Sequence, residues 1–259
     1  MKKVLSILLS FVLAFLFCTS ATASTEDGIN NSSQYYDIET IMKEVSDQIS
    51  EQMDENVVEP TRYYYLWIDE DKTCTGADFG YSYSRISYGN PARSHNWGTS
   101  YGGWADALVN CSTAPGVRTD GQAWAWVGNR ISVGSNNSKT QEICDISFFG
   151  DVYGRITNSL VTSGGQVAVW GEVYDCTDQT LVAQFTDWNG NQPGTYSRYF
   201  DPSGTCTLKK NHIYDFRMVV WVRAFDSIGA DPVGSSSDFY SNGYGSDGLD
   251  YDSITFEWQ

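Results

Sequence analysis

The 259-residue chain has few of the residues on which most catalytic centres depend. Histidine occurs only at His95 and His212, and no histidine and cysteine cluster has the spacing of metal ligands. No serine stands at a strand-to-helix nucleophile elbow. We therefore expect a protein without catalytic activity. A glycoside hydrolase stays open as an alternative, because that chemistry needs only two carboxylates.

Positive charge is also scarce. Lys and Arg together number 16 against 32 Asp and Glu, a formal net charge of −16. Removal of an N-terminal segment that carries Lys2 and Lys3 makes the charge −18. Such a surface repels phosphate backbones and anionic lipids, so we expect no nucleic-acid or membrane-surface partner. Neutral ligands, cations and basic partners are favoured instead.

Long apolar runs are missing after the N-terminus. The first run, Val4 to Phe17, follows Met1-Lys2-Lys3 and precedes the small residues Ala21-Thr22-Ala23. It is shorter than the roughly 18 residues that cross a bilayer, so it predicts a secretory signal over residues 1–24. We expect a secreted or cell-surface protein with no membrane insertion once the signal is removed.

Cysteine is infrequent, and one of the six, Cys18, belongs to the predicted signal. Five cysteines in an oxidising compartment predict two disulfides and one remaining thiol. Cys176 and Cys206 flank a predicted hairpin-like region and are the preferred pair.

Residues 25–60 form a predicted helical segment before the main domain. Between Tyr35 and Val57 the apolar residues recur at steps of three and four, which indicates one face of an amphipathic helix. They are Ile38, Ile41, Met42, Val45, Ile49 and Met53. The helix either docks on the following domain, tethers it, or joins a second copy or a partner.

Residues 61–259 have the sequence pattern of a single β domain. Short alternating stretches rich in Tyr, Trp, Val and Ile are separated by Gly, Asn, Ser and Asp, and helical periodicity is absent. The pattern predicts a mostly β fold, an antiparallel β-sandwich of jelly-roll type. The predicted strands are Arg62–Asp69, Tyr81–Tyr88, Gln122–Ser132, Glu142–Ile156, Gln166–Asp175, Leu181–Asp187, Thr195–Phe200, His212–Phe225 and Ser253–Trp258. The stretch Asn90–Gly121 is expected to be a long loop, either functional or held by Cys111.

Three of these strands alternate between an aliphatic face and a face that mixes aromatics with charge. If they are neighbours in one sheet, the mixed faces form a surface suited to carbohydrate, because sugar rings stack on aromatics and hydroxyls bond to charged groups. The predicted ligand-binding residues are Trp170, Glu172, Tyr174, Trp221, Arg217, Arg223, Tyr153 and Arg155. The alternative is a solvated face of cross-strand pairs. For a hydrolase, Glu172 with Asp151 or Glu257 is the predicted carboxylate pair.

Near the C-terminus, Asp247, Asp250 and Asp252 place carboxylates in a glycine-containing turn. Calcium takes several oxygen ligands from flexible loops, so these residues predict a structural Ca²⁺ site, and a solvated acidic turn is the alternative.

Several short motifs lie between about Gly165 and Trp258. They are Val173-Tyr174-Asp175, Leu208 to Tyr214, Val222-Arg223-Ala224, Ser237 to Tyr240 and Ile254-Thr255-Phe256. In these motifs the chain resembles a loose group of uncharacterised secreted archaeal and bacterial β-sandwich proteins. The resemblance implies a jelly-roll-like sandwich at the cell exterior and no particular activity. Cys176 and Cys206 depart from the pattern of that group.

The expected function is a non-enzymatic binding or adhesion module for a glycan or an extracellular protein at the cell surface. The alternative is a structural subunit of an extracellular layer or filament, in which the helix and an unpaired cysteine join copies of the chain.

Overall fold

The structure is a computed structural model that describes residues 35–56, 64–77, 79–88, 92–99, 102–111, 119–158, 163–226, 235–240 and 248–259. The predicted signal segment and Asp247 lie outside these ranges. Within them, one helix and two β-sheets form a compact unit over Asp37–Gln259. No helix in the described part combines the length and apolarity that crossing a bilayer requires.

The helix, α1, spans Ile38–Asn56. It begins after Asp37, whose carboxylate accepts the backbone N–H of Thr40 at 3.1 Å, the arrangement of a helix N-cap. The side chains at steps of three and four along one face are buried. They are Ile41, Met42, Val45 and Ile49.

Fourteen strands are described. They are β1 Tyr64–Trp67, β2 Lys72–Thr75, β3 Phe79–Tyr88, β4 Ala92–Thr99, β5 Gly102–Cys111, β6 Thr119–Gly134, β7 Gln141–Thr157, β8 Ser163–Asp175, β9 Thr180–Gly190, β10 Gly194–Phe200, β11 Ser203–Lys209, β12 Ile213–Asp226, β13 Ser235–Phe239 and β14 Gly248–Trp258.

The strands form two sheets. The first has the order β1-β6-β12-β8-β9, with β3 also paired to β6. The second has the order β10-β7-β13-β5-β14-β2, with β11 on β7, β4 on β5 and an additional β7–β14 pairing. The inner faces of both sheets contribute to one core, in which Phe216 of β12 and Phe256 of β14 meet edge to face at 4.8 Å between ring centroids. The mostly β sandwich predicted from the sequence is therefore confirmed.

The prediction of a long loop over Asn90–Gly121 is wrong, because β4 and β5 occupy most of it. The inward residues of β5 include Ala105 and Ala107, both fully buried. Alanine is depleted in strands, so this alternation of small residues carries little strand signal in the sequence.

Candidate functional site

Six of the eight predicted ligand-binding residues lie on one face of the first sheet. The antiparallel strands β8 and β12 are neighbours, and Glu172 stands directly opposite Arg217. Strand β6 flanks β12 on the other side, with Trp124 opposite Trp221. The six are Trp170, Glu172, Tyr174, Arg217, Trp221 and Arg223.

The predicted open surface is nevertheless wrong, because all six residues are buried and α1 packs on the part of the face that holds Trp170, Glu172 and Trp221. The apolar stripe of α1 packs against a cluster that contains Trp124, Trp126, Trp170 and Trp221. Trp170, Glu172, Arg217 and Trp221 are fully buried, and Tyr174 and Arg223 are buried as well. A ligand cannot reach them while α1 is docked.

The charges under α1 form a neutral, buried ion-pair chain. Arg217 Nη1 lies 3.0 Å from Glu172 Oε1, and Arg217 Nη2 lies 3.2 Å from Asp215 Oδ2. Arg130 donates to both oxygens of Asp215, at 2.7 and 3.0 Å. The Arg217 guanidinium also lies over the ring of Tyr174, 4.6 Å from its centroid. Two cations and two anions therefore compensate one another away from water.

Polar contacts from α1 join this chain. Ser46 donates its hydroxyl to Glu172 Oε2, which also accepts the Trp170 indole N–H at 3.1 Å. The amide of Gln184 on β9 donates to Ser46 Oγ at 2.7 Å and to the backbone carbonyl of Met42 at 3.2 Å. The helix thus meets the sheet through both an apolar stripe and hydrogen bonds, which makes the face an interior surface.

Tyr153 and Arg155, the other two predicted ligand-binding residues, lie on β7 in the second sheet. The assumption that β7 adjoins β8 and β12 is wrong, since β7 pairs with β10, β11, β13 and β14. The predicted pairing of Glu172 with Asp151 or Glu257 fails for the same reason: Glu172 belongs to the first sheet, whereas Asp151 and Glu257 are in the second.

The second sheet has an outer face that is accessible. Four residues stand in one row across adjacent strands, in the order Tyr199, Asp151, Asp250, Trp104. Tyr199 is 81% exposed, and Asp151 and Trp104 are partly buried. We call this surface the open face and define it by the row together with Phe149, Tyr153 and Asp252.

Strand alternation explains how these residues share one side. Along β7 the residues Phe149, Asp151 and Tyr153 alternate with buried ones, as the sequence predicted. Gly150 faces inward between them, where a Cβ atom would lie 2.1 Å from the backbone oxygen of Asp250. Glycine therefore allows β14 to bring Asp250 close to Asp151.

The carboxylates of the open face perturb one another. Partial burial and the nearby Asp252 raise the pKa of Asp151. The pKa of Asp250 is raised by desolvation, although its side chain is exposed, and then by Asp252 and Asp151. The charge of Asp151 is the largest cause of a raised pKa at the Tyr153 phenol. Like charges thus gather beside aromatic rings.

Asp250 and Asp252, predicted as calcium ligands, both lie exposed on this face. Asp247 falls outside the described residues. Asp252 stands where the β7–β14 register shifts, so a β-bulge positions it. The sequence did not suggest Tyr199, and it suggested Trp104 only as part of a possible ligand-contacting loop. Only strand pairing brings the two residues beside Asp151 and Asp250.

A different acidic group lies at the end of the first sheet. Ligand atoms of Asp175, Asp178 and His212 lie within 4.8 Å of one another. His212 Nδ1 is 2.8 Å from Asp175 Oδ2, and the Lys209 ammonium is 2.5 Å from Asp178 Oδ2. Hydrogen bonding from Lys209 lowers the pKa of Asp178. The ammonium already supplies the positive charge that a metal ion would bring, so we interpret this group as an ion-pair cluster.

An exposed cleft of about 450 Å³ lies beside β1 and β2. Its lining combines aromatics with carboxylates, and Tyr65 is 57% exposed. The lining residues are Tyr64, Tyr65, Trp67, Glu70, Asp71 and Lys72. This cleft is not among the sites predicted from the sequence. A signal is nevertheless visible, because Tyr63-Tyr64-Tyr65 and Trp67 are followed, after Ile68, by the acidic run Asp69-Glu70-Asp71.

The predicted Cys176–Cys206 disulfide is absent, and the two cysteines are associated with different sheets. Cys176 follows β8 of the first sheet, and burial, followed by the charge of Asp215, raises its pKa to about 12. Cys206 lies on β11 of the second sheet and belongs to the core between the sheets. The predicted hairpin does not form because β9 and β10 belong to different sheets.

No model of a known protein family matches the chain, and no curated protein matches it either. Solved structures with some likeness include the functional form of the mosquito-larvicidal Cry4Aa toxin from Bacillus thuringiensis, with 12% sequence identity and a TM-score of 0.26. The alignment covers 76% of this chain, which spans 25% of that toxin chain.

Proposed function

We propose that the protein is a carbohydrate-binding module whose binding surface is the open face. The observation that carries the proposal is the row of Tyr199, Asp151, Asp250 and Trp104 across four adjacent strands. Aromatic rings at its two ends offer stacking surfaces for the apolar faces of sugar rings. The carboxylates between them accept hydrogen bonds from sugar hydroxyls.

We also propose that binding takes place outside the cell, at the cell surface or in the medium. The basic, apolar and small-residue segments of residues 1–24 support export. The formal charge of −16 is compatible with a neutral glycan and unfavourable for phosphate polymers. A Ca²⁺ ion at Asp250 and Asp252 would reduce the repulsion between carboxylates and is included in the proposal.

We infer further that the sandwich is a jelly roll. The chain passes repeatedly between the sheets from β5 to β14, with β5, β7, β10 and β14 in the second sheet and β6, β8, β9 and β12 in the first. The spatial orders β5-β14-β7-β10 and β6-β12-β8-β9 support this topology. Jelly rolls occur among lectin domains, which agrees with the proposed function.

A glycan-array screen with and without Ca²⁺ tests the proposal. We expect the wild type to bind, and Tyr199→Ala to lower the affinity about tenfold, which corresponds to about 1.4 kcal/mol. Tyr65→Ala is the matched control, because it removes another exposed tyrosine outside the open face. Circular dichroism checks that both variants keep the wild-type fold.

The outcomes separate the sites. Loss of binding in Tyr65→Ala with full binding in Tyr199→Ala would move the ligand to the cleft beside β1. Absence of binding to every glycan would overturn the carbohydrate proposal and favour an extracellular structural subunit. A hydrolase is the second candidate, because the pKa values of Asp151 and Asp250 are raised, as in catalytic acids. Release of reducing sugar by the wild type that disappears in Asp250→Asn would favour it.

A further inference from the structure

Two cysteines face each other across neighbouring strands of the second sheet. Cys206 of β11 is the direct antiparallel partner of Cys144 of β7. Directly opposed residues of an antiparallel pair point to the same side, with Cα atoms about 4.5–5.5 Å apart. Both side chains are buried in the same core. Burial, followed by the neighbouring Cys206 thiol, raises the pKa of Cys144 to about 12, as expected for adjacent buried sulfurs.

This geometry suits a covalent bond between the sulfurs. Disulfides join cysteines whose Cα atoms lie about 4.4–6.8 Å apart, and the spacing of an opposed pair falls within that range. The other described cysteines have different cross-strand partners: Cys74 faces Ile254, and Cys111 faces Ser235. Cys176 lies beyond the end of β8 in the first sheet.

We propose that Cys144 and Cys206 form a disulfide when the chain folds in the presence of a small-molecule disulfide oxidant. One cysteine thiolate attacks the oxidant, for example glutathione disulfide, and releases one reduced thiol. The second cysteine thiolate attacks the resulting mixed disulfide and releases the second reduced thiol. The two cysteines lose two protons and two electrons, and the oxidant is reduced to two thiols.

Burial determines when this reaction takes place. Desolvation raises the pKa of Cys206 to about 12, so neither thiol forms the reactive thiolate readily in the folded protein. The bridge forms before β11 settles on β7, and it then resists small-molecule reductants. It ties β11 to β7, the strand that also pairs with β10 and carries Asp151 of the open face.

Refolding the purified protein with reduced and oxidised glutathione tests the proposal. The product is unfolded in iodoacetamide without reductant, digested and analysed by mass spectrometry. We expect a peptide pair linked through Cys144 and Cys206. Cys176→Ala is the matched control and should retain the linked pair.

A stability measurement provides a second readout. Refolding with dithiothreitol should lower the thermal midpoint of the wild type and of Cys176→Ala relative to refolding with glutathione. The double variant Cys144→Ala, Cys206→Ala should show no such difference. Alkylation of both Cys144 and Cys206 after oxidative refolding, or a linked peptide that contains Cys176, would overturn the proposal. Neither result depends on glycan binding.

Discussion

The outer faces of the two sheets carry similar residues, but a helix packs on one of them and the other is accessible. On the first sheet, Glu172 and Arg217 lie among tryptophans and are fully buried beneath α1. On the second sheet, Asp151 and Asp250 lie among aromatic rings and remain accessible. The charges of the covered face are paired into a neutral chain. On the open face, the charged groups that raise the pKa values of Asp151 and Asp250 are other carboxylates.

The difference shows that a mixed aromatic and charged strand face does not by itself indicate a binding surface. Such a face can be an interior if a helix with complementary apolar and polar residues covers it. Charge pairing distinguishes a covered face from an accessible one, because buried ions need partners and exposed ions are solvated by water. Removing a charge should therefore have opposite effects on the two faces.

The largest expected effect comes from Arg217→Met, which breaks the covered ion-pair chain. Glu172 loses its cationic partner and stays buried, whereas Asp215 retains its ion pair with Arg130. Removing one partner of a buried pair costs about 3–5 kcal/mol. Urea unfolding of the variant should show this loss of stability.

Arg155→Met provides the control, because Arg155 is an exposed residue of β7. Its replacement should change the free energy of unfolding by less than about 0.5 kcal/mol. Equal, small effects of the two substitutions would mean that the face beneath α1 is solvated.

A smaller effect is expected from Ile49→Ala, which tests the contact between α1 and the first sheet. Ile49 is 1% exposed and belongs to the cluster with the four tryptophans. Truncation of a buried isoleucine to alanine costs about 2–5 kcal/mol through lost transfer energy and the cavity left behind. Thermal or urea unfolding measures the loss, with the exposed Lys43→Ala as control. Similar stabilities for both variants would show that α1 is not held on the sheet.

The sequence supports much of the fold and less of the site. Period-two alternation predicts that Trp170, Glu172 and Trp221 point to one side, and the three-and-four spacing in α1 predicts its apolar stripe. Neither pattern predicts that the apolar stripe of α1 packs on this face of the first sheet. The contact between Ser46 and Glu172 joins residues 126 positions apart, and nothing local in either segment encodes it.

Strand neighbours are equally hard to derive. The alternation of β7 predicts that Asp151 and Tyr153 point outward, which is confirmed. It does not specify which strands flank β7, so the prediction that β7 adjoins β8 and β12 places these residues in the wrong sheet. Tyr199 and Asp250 join Asp151 only through the pairings of β10 and β14.

The smallest change in the free energy of unfolding is expected from Asp250→Asn on the open face. It should be a gain in stability, whereas the preceding substitutions lower stability. The pKa of Asp250 in the folded protein is raised above its usual value of 3.8. The folded state therefore holds this proton more tightly than the unfolded state, and ionisation reduces stability as the pH rises through the window above 3.8. Asparagine removes that cost, so the variant should be more stable than the wild type at pH 7.

The expected gain is a few tenths to about 1 kcal/mol, because solvent screens exposed like charges that stand opposite each other. It should shrink towards pH 4, where the wild-type carboxyl becomes protonated, and in high salt. Unfolding in EDTA at pH 4 and pH 7 measures it without interference from calcium. Asp178→Asn should behave oppositely, since Lys209 lowers the pKa of Asp178 and its ionisation stabilises the fold. A loss of stability in Asp250→Asn at pH 7 in EDTA would mean that the open face pairs its charges as the covered face does.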